Sequence, residues 1–199
     1  MNRRRLRAAL LATALTATLA GCGIRSTEVP TDFGPGPSRV PCVMSGSSIA
    51  SQSSGVPVQV FLVCAAQLVT VDRSVRIPTE KATTDRVRIA QALLDELSHA
   101  PSDQEKQAGF ATDVRGGTVV GGPGKGDPED ALRFSTSPED LSAFALAQVV
   151  CTFADSAAAG DDREVIMGGP GDAPLRRYEC TQEVRQRPGT VAPPTETVK

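Results

Sequence analysis

Five cysteines, one histidine, two acidic runs and one glycine-rich loop are the residues of this chain whose types and spacing suit chemistry. Nucleophilic hydrolysis needs a base beside the nucleophile and a group that orients the base. His99, the single imidazole, falls at the end of a predicted helix, where a cation complements the helix dipole. No Gly-x-Ser-x-Gly elbow accompanies it. The acidic runs Asp127-Pro128-Glu129-Asp130 and Asp161-Asp162 with Glu164 have the residue type for acid–base work or calcium. Neither follows the Asp-x-Asp-x-Asp-Gly order of a calcium loop, so solvated turns are expected. Gly121-Gly122-Pro123-Gly124-Lys125-Gly126-Asp127 invites comparison with a phosphate loop. Val119 stands where the first glycine belongs, Gly126 where the metal-binding hydroxyl belongs, and a predicted strand follows instead of a helix. An exposed hairpin loop is the expectation. The sequence therefore leads us to expect no catalytic residue, no cofactor and no metal site.

The cysteines divide into one and four. Met1–Arg7 carries four arginines and no acid, and Ala8–Ala20 is small or apolar apart from threonines. That stretch is shorter than the roughly 20 residues a spanning helix requires. A basic start, a short apolar run and a small-residue processing site form a signal peptide, expected over residues 1–21. Its ending, Leu19-Ala20-Gly21-Cys22, resembles the lipobox of bacterial lipoproteins at all four positions. The resemblance implies a diacylglyceryl thioether on Cys22, cleavage before it, and acylation (palmitate or a similar chain) of the new N-terminus. Two or three acyl chains anchor durably where one holds only marginally. The expected location is thus the cell membrane, lipid-anchored on its extracytoplasmic face.

Cys42, Cys64, Cys151 and Cys180 remain. An even number in an oxidising compartment is expected to form two disulfides, and four cysteines allow three pairings. We favour Cys64–Cys151 inside the fold with Cys42–Cys180 tying the ends together. Loss of the leader lowers the basic count from 21 to 17 against 23 acids, so the mature chain carries about −6. That balance argues against nucleic acid as a partner.

Four parts are expected: the signal peptide, a flexible Pro/Gly/Ser-rich tether over 22–55, a folded domain over 56–180, and a disordered proline-rich tail over 181–199. In the domain, Val58–Cys64 and Leu68–Arg76 form a predicted hairpin. Val87, Ala90, Leu93, Leu94 and Leu97 make one stripe of a helix over Thr84–Ala100, capped by Thr83 or Thr84. Ser102-Asp103-Gln104-Glu105 has capping-box spacing and predicts a further helical turn. Short strands are expected at Thr118–Val120 and Ala131–Ser135. Ser137-Pro138-Glu139-Asp140 predicts the start of a second long helix reaching Ala154, apolar nearly all round and therefore buried on most sides. Strands at Glu164–Met167 and Leu175–Tyr178 complete the domain. Val119–Gly124 and Ile166–Gly171 echo one another, which fits either an ancient duplication or two similar turns in a Gly/Pro-rich chain.

This order, with Val60-Phe61-Leu62-Val63, Leu68–Arg73, Ala90–Leu97, Pro101–Phe110 and Ala145–Thr152, resembles the GerMN domain over roughly Val56–Cys180. GerMN domains are sporulation- and germination-related modules of envelope lipoproteins, actinomycete ones included. The chain departs from their commoner pattern in its three cysteines within the domain and its shortened strand Leu132-Arg133-Phe134. The resemblance implies an α+β fold, a two-layer α/β sandwich of ββαββαββ type with a mixed or antiparallel sheet and two main helices. It also implies a non-enzymatic interaction or scaffold module that meets another envelope protein. The alternatives are a small-ligand-binding lipoprotein serving a transporter, and an envelope hydrolase.

Overall fold

The apolar run near residue 60 becomes the longest hairpin among the described residues. In the computed structural model, which describes residues 41–43, 55–75, 86–160 and 162–198, β1 (Val56–Cys64) pairs antiparallel with β2 (Gln67–Val75) through an unbroken register. Its turn is two alanines, Ala65 and Ala66, both at positive φ (49° and 62°), the backbone of a type I′ turn. Left-handed backbone costs an L-residue roughly 1–2 kcal/mol, so this turn is held by the ladder it closes. The leader, Cys22 and most of the tether lie outside the described residues, as does the threonine cap expected at Thr83 or Thr84.

Helix α1 (Arg86–Ser98) buries Ile89, Ala90, Leu93, Leu94 and Leu97 against β1, β2 and a later strand. Helix α2 (Asp103–Gln107) carries the expected capping box: Ser102 accepts from the Glu105 amide, and Glu105 accepts in return from the Ser102 amide at 2.6 Å. β3 (Phe110–Ala111) then joins the other side of β1, giving a three-stranded sheet of order β2-β1-β3.

β4 (Val120–Gly121), β5 (Leu132–Phe134), β6 (Val165–Gly168), β7 (Leu175–Tyr178) and β8 (Thr195–Thr197) form a second sheet in sequence order, all pairs antiparallel except β5 with β6. The crossover between that parallel pair is α3 (Ala143–Ala154), which packs on β1 of the first sheet and β6 of the second. Wedged so, it buries Ala145, Ala147–Ala154 and the ring of Phe153, 6.1 Å from that of Phe134. The architecture is α+β, with four helices and two sheets among the described residues, where the sequence led us to expect a single sheet.

Three further expectations are corrected. The helix expected from Ser137 is only a 3₁₀ turn there (Pro138–Asp140); Leu141 is extended, and Ser142 caps α3 proper. The second serine prevails because its hydroxyl both accepts from the Ala145 amide (3.1 Å) and donates to Asp113 (2.6 Å). The region 181–199 is no disordered tail within its described residues. Thr181 caps α4 (Gln182–Gln186), Val184 is fully buried against Phe61, Leu68 and Cys151, and β8 pairs with β7. Proline content misled because Pro193 and Pro194 precede β8, and Pro194 offers its carbonyl to the Glu179 amide at 3.1 Å.

The disulfides are Cys42–Cys64 and Cys151–Cys180, not Cys64–Cys151 with Cys42–Cys180. Side chains alternate along a strand. Val60, Leu62 and Cys64 face the main core, whereas Phe61 faces the small cluster that holds Cys151 and Val184. Cys64 and Cys151 therefore lie on opposite faces of β1 and cannot meet.

Candidate functional site

The fold has to do something with the unpaired backbone of its sheet edges, and it does so unequally. Beyond the short β3, the inner side of β1 faces α3. There the Phe61 amide donates to Thr152 Oγ1 (3.0 Å), and the Phe61 carbonyl accepts from Gln148 Nε2 (2.9 Å). Gln148 Oε1 accepts from the Asp113 amide (2.8 Å), so one fully buried side chain stands in for a missing strand. Gln148 and Thr152 lie four residues apart, hence on one face of the helix.

The β4 edge is closed by the same device. Gln91 of α1 accepts from the Val120 amide (2.7 Å) and donates to the Thr118 carbonyl (3.3 Å). The outer sides of β2 and β8 carry no such closure among the described residues.

The residues singled out by type for chemistry are mostly engaged in holding loops. Asp127 takes a bidentate bond from Arg133 (2.8 Å to each oxygen) and accepts from the Gly124 amide (2.7 Å). The Arg133 guanidinium holds its carboxyl below the usual range; burial opposes this, and the Gly124 amide adds a smaller lowering. Arg133 also donates to the carbonyls of Gly169 and Ala173, so one side chain ties the β4–β5 loop to the β6–β7 loop. A Cβ on Gly168 would lie 2.9 Å from that guanidinium, which explains the glycine. The amide of Gly124, at the heart of the phosphate-loop comparison, is thus taken by the loop's own aspartate.

The two acidic runs converge. A Cβ built on Gly160 would sit 3.0 Å from Asp162 Oδ1 and 3.4 Å from Asp130 Oδ2. Asp130 lies 3.8 Å from Arg86, Asp162 accepts from the Glu164 amide (3.1 Å), and Glu164 lies 3.2 Å from Arg177. That amide bond lowers the Asp162 carboxyl, while burial and then the Asp162 charge raise that of Glu164. Asp161 lies outside the described residues. No group of three or more His, Cys, Asp or Glu side chains is arranged to hold a metal ion among the described residues.

His99 is exposed, with its ring 3.6 Å from Glu96. Glu96 and Glu105 together hold Arg73 of β2, a mostly buried triad that fastens the hairpin to α1 and α2. Of the cysteines, Cys42 donates its amide to Ala108 (3.2 Å) and is bridged to the end of β1, and Cys151–Cys180 secures the start of α4.

Two concavities are present among others. One of about 540 Å³ is lined mainly by polar groups, among them Asp113, Arg115, Thr118, Thr136, Asp140 and Ser142. The other, about 280 Å³, lies beside the Cys151–Cys180 bridge with Asp155, Asp162, Arg163 and Arg185. Small-molecule sites are predominantly apolar with a few convergent polar groups, which neither lining resembles.

Sequence reasoning missed Gln91, Gln148, Thr152 and Arg133. A signal existed for two of them, since Gln148 and Thr152 form a polar i, i+4 pair in an otherwise apolar helix. No helix among the described residues is long and apolar enough to cross a membrane. No family model, curated protein or solved structure matches the chain.

Proposed function

We propose that this chain is a lipoprotein of the bacterial cell envelope, held by lipid on Cys22, whose α+β domain is a non-enzymatic interaction module of GerMN type. Unequal treatment of the sheet edges carries this reading. Two stretches of backbone are closed by glutamines, while among the described residues the outer donors and acceptors of β2 and β8 are left without partners, which is what an added strand from another protein recognises. The Leu-Ala-Gly-Cys ending supports the anchor. The Cys42–Cys64 bridge gives the tether a covalent fastening on the domain.

The test is cross-linking in intact cells followed by capture of the tagged lipoprotein. A reproducible envelope protein, lost when the outer side of β2 or β8 is altered, supports the module. A blank from abundant, membrane-held bait counts against it. Separately, Cys22→Ser is expected to release the protein from membranes, and retention would defeat the lipid assignment.

The hydrolase alternative has one observation in its favour, the opposed shifts of Asp162 and Glu164. Both carboxyls are already engaged, by an amide and by Arg177, and of the two only Asp162 borders either of these concavities, the smaller one. Glu164→Gln leaving every phenotype of the gene deletion complemented would dispose of it.

A further inference from the structure

β2 is the longest open edge among the described strands, and the alternation of its backbone can be worked out. Phe61 directs its N–H and C=O to α3, away from β2, so Phe61 and Thr70 form a pair without mutual hydrogen bonds. By alternation the N–H and C=O of Thr70, Asp72 and Ser74 point outward from β2. No described residue bonds them.

Edges of this kind are normally protected by brevity, by proline, by charged side chains (lysine above all, or charges turned inward), by a bulge or by a covering element. β2 has nine residues, no proline, no lysine and an unbroken register. Of its two charges, Arg73 is turned inward to Glu96 and Glu105, and Asp72 alone faces solvent, accepting from Gln59 across the hairpin at 3.0 Å.

We propose that this edge is the seam of a homodimer, in which β2 of one copy pairs antiparallel with β2 of a second copy about Val71. The inference rests on the interaction-module reading and names the partner of one of its edges. Self-pairing is selected by side-chain complementarity. About Val71, Thr70 lies opposite Asp72 of the second copy, so each exposed carboxylate meets a hydroxyl, and Leu68 lies opposite Ser74. Centring on Asp72 would set two carboxylates face to face, and centring on Thr70 would set Leu68 against Asp72. The two Thr70–Asp72 pairs each exchange both backbone hydrogen bonds. A single edge pair buries little surface, so the dimer is weak in dilute solution. Tethering both copies to one membrane raises their effective concentration.

The test uses the full chain in two settings. In detergent, sedimentation equilibrium from micromolar to millimolar protein should show reversible dimerisation. Thr70→Asp places like charges opposite Asp72 twice and should weaken the dimer about tenfold, whereas Thr70→Lys places opposite charges there and should leave it equal or tighter. In membrane vesicles, Thr70→Cys mixed with Asp72→Cys should cross-link under mild oxidation, because directly opposed residues lie about 5.5 Å apart. Thr70→Cys alone should not. A chain that stays monomeric and fails to cross-link overturns the proposal, as does a dimer indifferent to Thr70→Asp. If the chain is monomeric but Thr70→Asp abolishes capture of an envelope protein, self-pairing is wrong and the module reading stands. A dimer with the expected charge response supports self-pairing even if capture is blank, and the blank then counts only against the module's envelope partner.

Discussion

Gln148 and Gln91 perform one task in two environments. Each lies on a long helix, and each offers its amide to the backbone of a strand that lacks a neighbour. Gln148 is inaccessible to solvent, is joined by Thr152 one turn later, and bonds β1 and the segment after β3 at once. Gln91 is half-buried, and its Nε2 is shared between the Thr118 carbonyl and Asp95. What separates them is access of water. Where water cannot enter, the side chain is the only partner the backbone has, and an unmade bond there costs the full desolvation of the group. Where water can enter, the same bond mainly selects one arrangement among several of similar energy.

This comparison is broken most severely by Gln148→Leu. The change keeps the volume roughly but strands the Phe61 carbonyl and the Asp113 amide. We expect a loss of about 3 kcal/mol, read as a lower denaturant midpoint with an unchanged slope. A loss below the size of a single neutral bond would mean that α3 shifts to let water in. Thr152→Val removes only the acceptor for the Phe61 amide, and about 2 kcal/mol is expected from the same measurement. The two changes share Phe61, so the double variant should fall short of their sum.

The β4 side has a second fastening, which sharpens the contrast by being ionic. Asp127 and Arg133 are mostly buried, with side chains 11% and 15% exposed. Asp127→Asn keeps the shape and removes the charge, and a loss of about 1.5 kcal/mol is expected at neutral pH. The Asp127 carboxyl titrates below its ordinary value of 3.8 because Arg133 holds it ionised. Its contribution is therefore present above the unfolded value and is lost as the pH falls through the folded one. Wild type and Asp127→Asn should differ by a constant amount above about pH 5 and converge under stronger acid. A gap that persists in strong acid would show that the variant fails for reasons of shape.

Periodicity made much of this legible. The β1–β2 hairpin, the stripe of α1, the capping box of α2 and the buried character of α3 follow from patterns of two and of 3.6 residues. What escaped depends on which side of an element a single residue faces. Apolar content along α3 predicted its burial but hid the two polar residues that make the burial possible. The alternation Phe61, Leu62, Val63, Cys64 already contained the reason that Cys64 cannot reach Cys151, but only the position of α3 shows which face is which. The end of the chain was misread because a proline-rich average gives no weight to Val184, which is completely buried beside the bridged Cys180. The β4 edge gave no advance notice, since a two-residue strand has no period.

The smallest expected effect is also the most discriminating. Gln91→Leu removes the bonds to Val120 and Thr118 at a site where water can replace them, so less than about 1 kcal/mol of global stability should be lost. Denaturation alone would barely register it. Hydrogen exchange resolves it, because local opening is read amide by amide. In Gln91→Leu the Val120 amide should exchange faster while that of Phe61 is unchanged, and in Thr152→Val the Phe61 amide should respond while that of Val120 holds. If instead both amides accelerate together in either variant, the two closures are parts of one cooperative unit. The distinction by water access would then give way to one set by the core that α1 and α3 share.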